Sequence, residues 1–233
     1  FHIAGTNGKG SVSAYLFAIA KQLGLKTHCY TSPHLCRFNE RIRIANNLID
    51  DEALLKVLDE VEKLNQNTPI TFYEITTVAA FVAFARIPAD LLILETGLGG
   101  RLDATNVIEN PLASIITPIE RDHEHFLGSE LTQIAGEKAG IIKKNVPVIS
   151  ASQTNEVGET LKNKAREMNA PIFFEGADFI WEQINTGEVK LECKNRVFTL
   201  PNPSLIGPHQ IQNAALAAAS LSLIHISEPT RRI

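Results

Sequence analysis

Phe1–Ser11, FHIAGTNGKGS, decides how the rest of this chain is arranged. Phe1–Ala4 predicts a short buried strand, followed by a glycine-rich turn and the start of a helix. Gly5, Gly8 and Gly10 carry no Cβ, so the backbone can turn tightly and come close to a ligand. Successive N–H groups then point into one concavity, where the helix N-terminus adds partial positive charge. Lys9 offers a cation to phosphate oxygens and Ser11 a hydroxyl to a magnesium ion. The stretch reads as a cradle for a nucleotide's phosphates. Its spacing departs from the strict phosphate loop, because only Thr6 and Asn7 separate Gly5 from Gly8 and Gly10 stands between Lys9 and Ser11. A strand–turn–helix corner with an incidental lysine is the bland alternative.

The 233 residues suffice for one large domain, or one with a small appendage. A hydrophobic content of 44% and a charged content of 21% are ordinary for a globular protein. A net charge of −4 gives no reason to expect a nucleic-acid or polybasic membrane surface, and no apolar run is long enough to span a bilayer. Neither nucleic acid nor membrane is therefore expected as a partner. Cys29, Cys36 and Cys193 lack metal-type spacing, which suits a reduced, cytoplasmic compartment. The chain opens inside a strand without an initiator Met, so an organelle-targeting peptide upstream stays open. At the other end, Leu221–Arg231, LSLIHISEPTR, resembles the in-frame translation of a transposon-based sequencing adapter. The natural domain is expected to stop near Ser220, with residues 221–233 a non-native tail; an ordinary helix end and Pro-terminated loop is the alternative.

After the cradle, Val12, Tyr15, Leu16, Ile19, Ala20 and Leu23 recur at helical spacing, and Gly24 sits where a left-handed cap would end the helix. Lys26–Tyr30 predicts a second strand running into TSPHL, where Pro33 places Ser32 and His34 on a strand-end loop. Phe38–Ile44, FNERIRI, reads as a solvated loop. Asp50–Gln66 predicts a helix with Leu54, Val57 or Leu58, Val61 and Leu64 inward, and Glu74–Arg86 a well-buried one. Asp90–Glu95, DLLILE, fits a central parallel strand covered on both faces, with its acid at the ligand-binding edge. A glycine-rich loop follows, then strand Leu112–Thr117, the segment RDHEHFLG, a helix over Glu130–Ile142, strand Pro147–Ser150 and helix Glu156–Asn169. Phe179–Ile184, Val189–Cys193 and Val197–Leu200 alternate polar with apolar between turns, predicting a small antiparallel meander. A last helix starts near Pro208. The fold class is α/β: a mostly parallel sheet flanked by helices, with an antiparallel meander appended.

Three strand ends thus deliver polar groups to one edge: Gly8–Ser11, Glu95, and Asp122 with His123. A phosphate loop beside an acid on a neighbouring strand is the usual way to hold nucleotide and magnesium together. Magnesium prefers oxygen ligands, which makes Ser32 and Glu95 sensible partners. His123 is less typical for that ion, and His125 would face the opposite way in an extended chain. The structural reading of a lone histidine weakens here because His123 follows an apolar strand and sits beside an acid.

GTNGKGS, TSPHL with NERIRI, TFYE, ETGLGGRLDATN, RDHEHFLG, EKAGI and LIGPHQIQNAA occur in that order. In this combination, from Phe1 to about Ser220, the chain resembles the folylpolyglutamate synthase and dihydrofolate synthase family of Mur-type ATP-dependent amide ligases. GTNGKG is shared by the whole superfamily, whereas GLGGRLDATN with TSPHL points to the folate branch. The resemblance implies a Mur ligase central domain-like fold and binding of ATP phosphates by Thr6, Asn7, Gly8 and Lys9, completed by Gly10 and Ser11, with Asn213 as a further ATP contact. It implies Ser32 and Glu95 as ligands of one magnesium ion, and His123 with a carbamylated Lys138 as ligands of a second. Lys9, His123 and Lys138 would then be the catalytic set. Pterin binding is implied for Thr71, Phe72, Tyr73 and Glu74 and for Leu102, Asp103 and Ala104.

Bland readings stand beside these. Thr71 and Glu74 also form a helix capping box, and Asn213 alone would be a surface helix residue. The reaction implied is ATP-dependent addition of L-glutamate to a folate or to dihydropteroate through an acyl phosphate, by a monomer. The family's second domain, which closes over ATP and binds glutamate, is expected after Ser220 and is absent from this sequence. Two rivals are another Mur-type ligase acting on a cell-wall or polymer substrate, and a phosphate-loop nucleotide-binding domain without ligase activity.

Overall fold

The computed structural model describes residues 1–184, 187–194 and 196–224. Eight strands make the main sheet: β1 (His2–Ala4), β2 (Thr27–Tyr30), β3 (Ile42–Ile44), β4 (Asn47–Leu48), β5 (Leu91–Glu95), β6 (Ser114–Ile116), β7 (Val148–Ser150) and β8 (Ile172–Phe174). Their spatial order is β4-β3-β2-β5-β1-β6-β7-β8, parallel from β2 to β8, with the β3–β4 hairpin added antiparallel at one edge. β1 lies between β5 and β6, so the chain winds away from it in both directions. The carboxyl end of β1 is the crevice where such sheets bind ligands, and Gly5–Ser11 leaves from there.

Successive side chains of a strand point to opposite faces, which explains the apolar runs. Ile93, Ile115 and Ile149 join a core beneath α1 (Lys9–Gln22) and α7 (His209–Leu223). Their neighbours in sequence turn the other way. Leu94 packs under α2 (Asp51–Asn65) and α3 (Phe72–Arg86), while Ile116 and Val148 pack under α5 (Leu131–Ala139) and α6 (Asn155–Glu167). The predicted meander forms as β9 (Phe179–Gln183), β10 (Val189–Cys193) and β11 (Arg196–Leu200), antiparallel in the order β11-β10-β9. Its inward residues Phe179, Leu191 and Cys193 extend the core under α7.

Several expectations need correction. FNERIRI is not a solvated loop: Phe38–Arg41 is a 3-10 turn, and β3 pairs with β2 and buries Ile42 completely. The charges in that segment hid a strand whose alternate side chains reach the core. Ile172–Phe174 forms the edge strand β8, where three half-buried residues after Pro171 gave too short a pattern to notice. RDHEHFLG is not extended at His125, because α4 (Glu124–Leu127) is a helical turn entered from His123 at φ 51°. Leu23, just past α1, and Leu64, in the last turn of α2, stay exposed, past the ends of their cores. α7 runs through Leu223, with Leu221 and Leu223 buried, and the rest of the predicted tail, 225–233, lies outside the described residues.

Candidate active site

The glycine loop is held open by contacts from three sides. Gly8 caps α1 at φ 88°, where a side chain would be strained and would also collide with Asn213. Thr6 Oγ1 donates to the Glu120 carbonyl at 3.0 Å and accepts from the Glu120 N–H, while Asn7 Nδ2 donates to the Glu120 carboxylate at 3.0 Å. From α7, Gln210 Nε2 donates to Ser11 Oγ at 3.2 Å and also holds Asn213, which donates to Gln210 Oε1. Asn213 is therefore buried against the loop and is not a surface residue. Glu120 lies outside every motif and Gln210 carries no expected role within LIGPHQIQNAA, and only the folded chain brings them here.

Two lysines meet on one carbonyl. Lys9 Nζ donates to the Gly5 oxygen at 3.0 Å and to Thr6 at 3.2 Å, and Lys138 Nζ, from α5, donates to the same Gly5 oxygen at 2.9 Å. Lys138 is buried, which lowers its pKa from 10.5 to about 8; the charge of Lys9 adds to this and Asp122 opposes it. At pH 7 about a tenth of Lys138 is thus the neutral amine, far more than for an ordinary lysine.

Glu95 closes the loop from β5. It is buried, accepts a 3.2 Å hydrogen bond from the Ser32 N–H, and lies alongside Gly10. Burial raises its pKa to about 7, against the opposing pull of Lys9 and the Ser32 N–H. A buried carboxylate in this state fits a hard divalent cation, whose charge would restore the ionised form. Ser32 and Glu95 also line a cavity of about 460 Å³ beside α1. Asp122 and His123 stand exposed on the β6–α4 loop, with His123 Nε2 3.5 Å from Asp122 Oδ2. Among the described residues no three His, Cys, Asp or Glu side chains gather as a metal cluster.

The loop that opens with Glu95 continues to a second cavity. Thr71, Tyr73, Glu74, Leu102, Asp103 and Ala104 line one space of about 260 Å³, together with Phe126 and Glu137. Six of the seven predicted pterin contacts are thus gathered. Phe72 is not: it turns away to stack edge-on against Phe38 at 5.9 Å. Thr71 and Glu74 do form the capping box of α3 while also facing the cavity. Asp103 has its oxygens engaged by the loop, accepting from the N–H groups of Gly97, Leu98 and Thr105 and from the Tyr73 hydroxyl. It builds the cavity wall.

A nucleotide loop at the switch point of a parallel sheet, with a buried acid beside it and a cavity one loop away, is the layout of a nucleotide-dependent enzyme domain. The chain belongs to the Mur ligase middle domain family, with the match covering residues 3–221. Within that family its relatives are those of the folylpolyglutamate synthase and dihydrofolate synthase branch. It is 38% identical over 254 residues to the dihydrofolate synthase/folylpolyglutamate synthase of Bacillus subtilis, covering all of this chain and 58% of that protein. Among solved structures, it superposes on E. coli FolC in complex with DHPP and ADP at a TM-score of 0.89 and 31% identity, covering 99% of this chain and 54% of that one. It superposes on a bifunctional folylpolyglutamate synthase/dihydrofolate synthase with Mn, AMPPNP and L-glutamate bound at 0.87 and 32%, covering 98% and 54%. The chain spans about half the length of these relatives.

Proposed function

We propose that this chain is the ATP- and acceptor-binding part of a ligase that joins L-glutamate to a folate, to dihydropteroate, or to both. One observation carries the reading: Thr96–Asn106 links Glu95, beside the phosphate loop, to Leu102–Ala104, in the wall of the second cavity. A single loop therefore sets an acceptor's distance from the nucleotide. The relatives named above were solved with ADP or AMPPNP, with Mn, with DHPP and with L-glutamate, which supports the same set of ligands here.

A carboxylate is a poor electrophile and must be activated before an amine can attack it. Transfer of the γ-phosphoryl group from ATP to the acceptor's carboxylate forms an acyl phosphate and releases ADP. The glutamate amine then adds to the acyl carbon, losing a proton, and phosphate departs. Thr6, Asn7, Gly8, Gly10 and Ser11 would seat the phosphates, with Asn213 backing the loop. Lys9 would meet the transferring oxygens. Ser32 and Glu95 would hold one magnesium ion, and His123 with Lys138 a second; bound magnesium supplies positive charge against the phosphoryl oxygens. Lys138 reaches that role by adding CO2 to its neutral amine, forming an N–C bond and losing a proton. Its burial and the nearby Lys9 favour the neutral form this requires. Positioning and electrostatics supply the acceleration, without a covalent nucleophile from the protein.

The relatives are nearly twice as long as this chain, and their remaining length is proposed to supply the opposite wall and the glutamate site. The deciding test is glutamate incorporation by the protein in its full length, with dihydropteroate and tetrahydrofolate compared side by side. ATP-dependent incorporation into either supports the reading. ATP hydrolysis indifferent to both acceptors, or ligation onto other substrates only, sinks it.

A further inference from the structure

Arg41, in the NERIRI segment, has no part in the site described so far, yet it is held like a ligand-binding group. Only 9% of it is exposed. Its guanidinium carbon lies 5.4 Å from the Phe38 ring centre and 5.7 Å from that of Phe72, within cation–π range of both. Nε donates to His34 Nδ1 at 2.9 Å, which fixes the plane of the fork. Among the described residues its terminal nitrogens have no acceptor. The acids nearby are engaged elsewhere: Glu40 accepts from the N–H groups of Leu35, Cys36 and Arg37, Asp51 pairs with Arg37 and Asn39, and Glu74 is bound to Thr71. Those nitrogens are not among the buried polar atoms left without a partner, so they reach the surface and are free to take a ligand's oxygens.

Its place suggests which ligand. The Arg41 carbonyl accepts from the Thr31 N–H at 3.0 Å, next to Ser32, and Phe72 adjoins Thr71 and Tyr73 of the acceptor cavity. That cavity is lined by Glu74, Asp103 and Glu137 and by no lysine or arginine, so it offers an acidic tail no counter-charge. Resting on the folate-ligase reading above, we infer that Arg41 binds a non-reacting carboxylate of the acceptor's glutamyl tail, as the planar fork suits a carboxylate bidentately. Arg41 is then what makes a glutamylated acceptor bind better than the bare pteroate.

The probes are dihydropteroate and dihydrofolate, which differ by one glutamyl residue. Their binding to the protein in its full length is measured by calorimetry for the wild type, Arg41→Met and Arg41→Lys, with thermal unfolding to verify each fold. The wild type is expected to prefer dihydrofolate. Arg41→Met should weaken dihydrofolate by about thirtyfold or more and leave dihydropteroate unchanged, with Arg41→Lys between them. Equal losses for both acceptors, or a wild type without preference, overturn the assignment of Arg41 while leaving the ligase reading intact. Failure of the wild type to bind either acceptor removes the cavity reading and the Arg41 assignment with it.

Discussion

Glu95 and Lys138 are tuned in opposite senses by the same cause, burial beside the phosphate loop. For Glu95 the folded-state pKa of about 7 exceeds its ordinary 4.5, so the folded chain holds a proton that the unfolded chain has released. Stability should therefore fall as pH rises from 4.5 towards 7, by about 3 kcal/mol in all. Glu95→Gln removes the titration. The metal-free variant should melt higher than wild type at pH 8 and lose most of this pH dependence, as read by thermal unfolding across that range. Magnesium with nucleotide should stabilise the wild type and fail to do so in the variant. Lys138 offers a spectroscopic readout. With a pKa of about 8 it is neutral in about half the molecules at pH 8, against well under 1% for an ordinary lysine. Labelled CO2 should give a carbamate carbon signal in NMR that grows as pH rises through 8 and disappears in Lys138→Ala. Absence of that signal would remove Lys138 from the metal site.

Among the elements, the loop between β5 and β6 depends on one carboxylate. Asp103 holds the N–H groups of Gly97, Leu98 and Thr105, and so shapes both the cavity wall and the approach to Glu95. Asp103→Ala leaves those donors without an acceptor in a mostly buried setting. We expect a loss of about 3 kcal/mol in denaturant unfolding and a weaker acceptor affinity, while nucleotide binding at the separate phosphate loop changes less. A loss confined to affinity would mean that Asp103 touches the acceptor and carries little of the loop. α7 has a comparable place on the other face. Gln210 and Asn213 brace the glycine loop from it, so the helix that ends the described chain helps to hold that loop in place.

At the scale of the molecule, every group proposed for chemistry lies along the carboxyl edge of one sheet, on loops after β1, β2, β5 and β6 or on the helices behind them. That edge is open, and Leu102 and Phe126 are 79% and 76% exposed at the cavity mouth. Relatives about twice this long have further chain with which to cover such a surface. The isolated 233-residue chain is accordingly expected to bind magnesium and ATP weakly and to incorporate no glutamate; radiolabelled glutamate transfer by this chain alone would refute the division of labour.

The order of strands and helices was legible in the residues because apolar periodicity and glycine-rich turns are local signals. DLLILE announced a doubly covered strand, and GTNGKGS announced a phosphate loop despite its irregular spacing. What could not be read locally is what depends on distant segments meeting. FNERIRI looked solvated because its charges outweigh Ile42 and Ile44, yet pairing with β2 buries Ile42 and sets Arg41 between two rings. Glu120 and Gln210 became partners of the loop only through folding, and Phe72, expected at the acceptor cavity, was drawn to Phe38 instead. By itself the sequence determined the α/β class and the chemistry on offer at each strand end. Only the tertiary structure decided that Lys9 and Lys138 share the Gly5 carbonyl and that Glu95 is buried, because desolvation and proximity belong to the packed chain and to no segment alone.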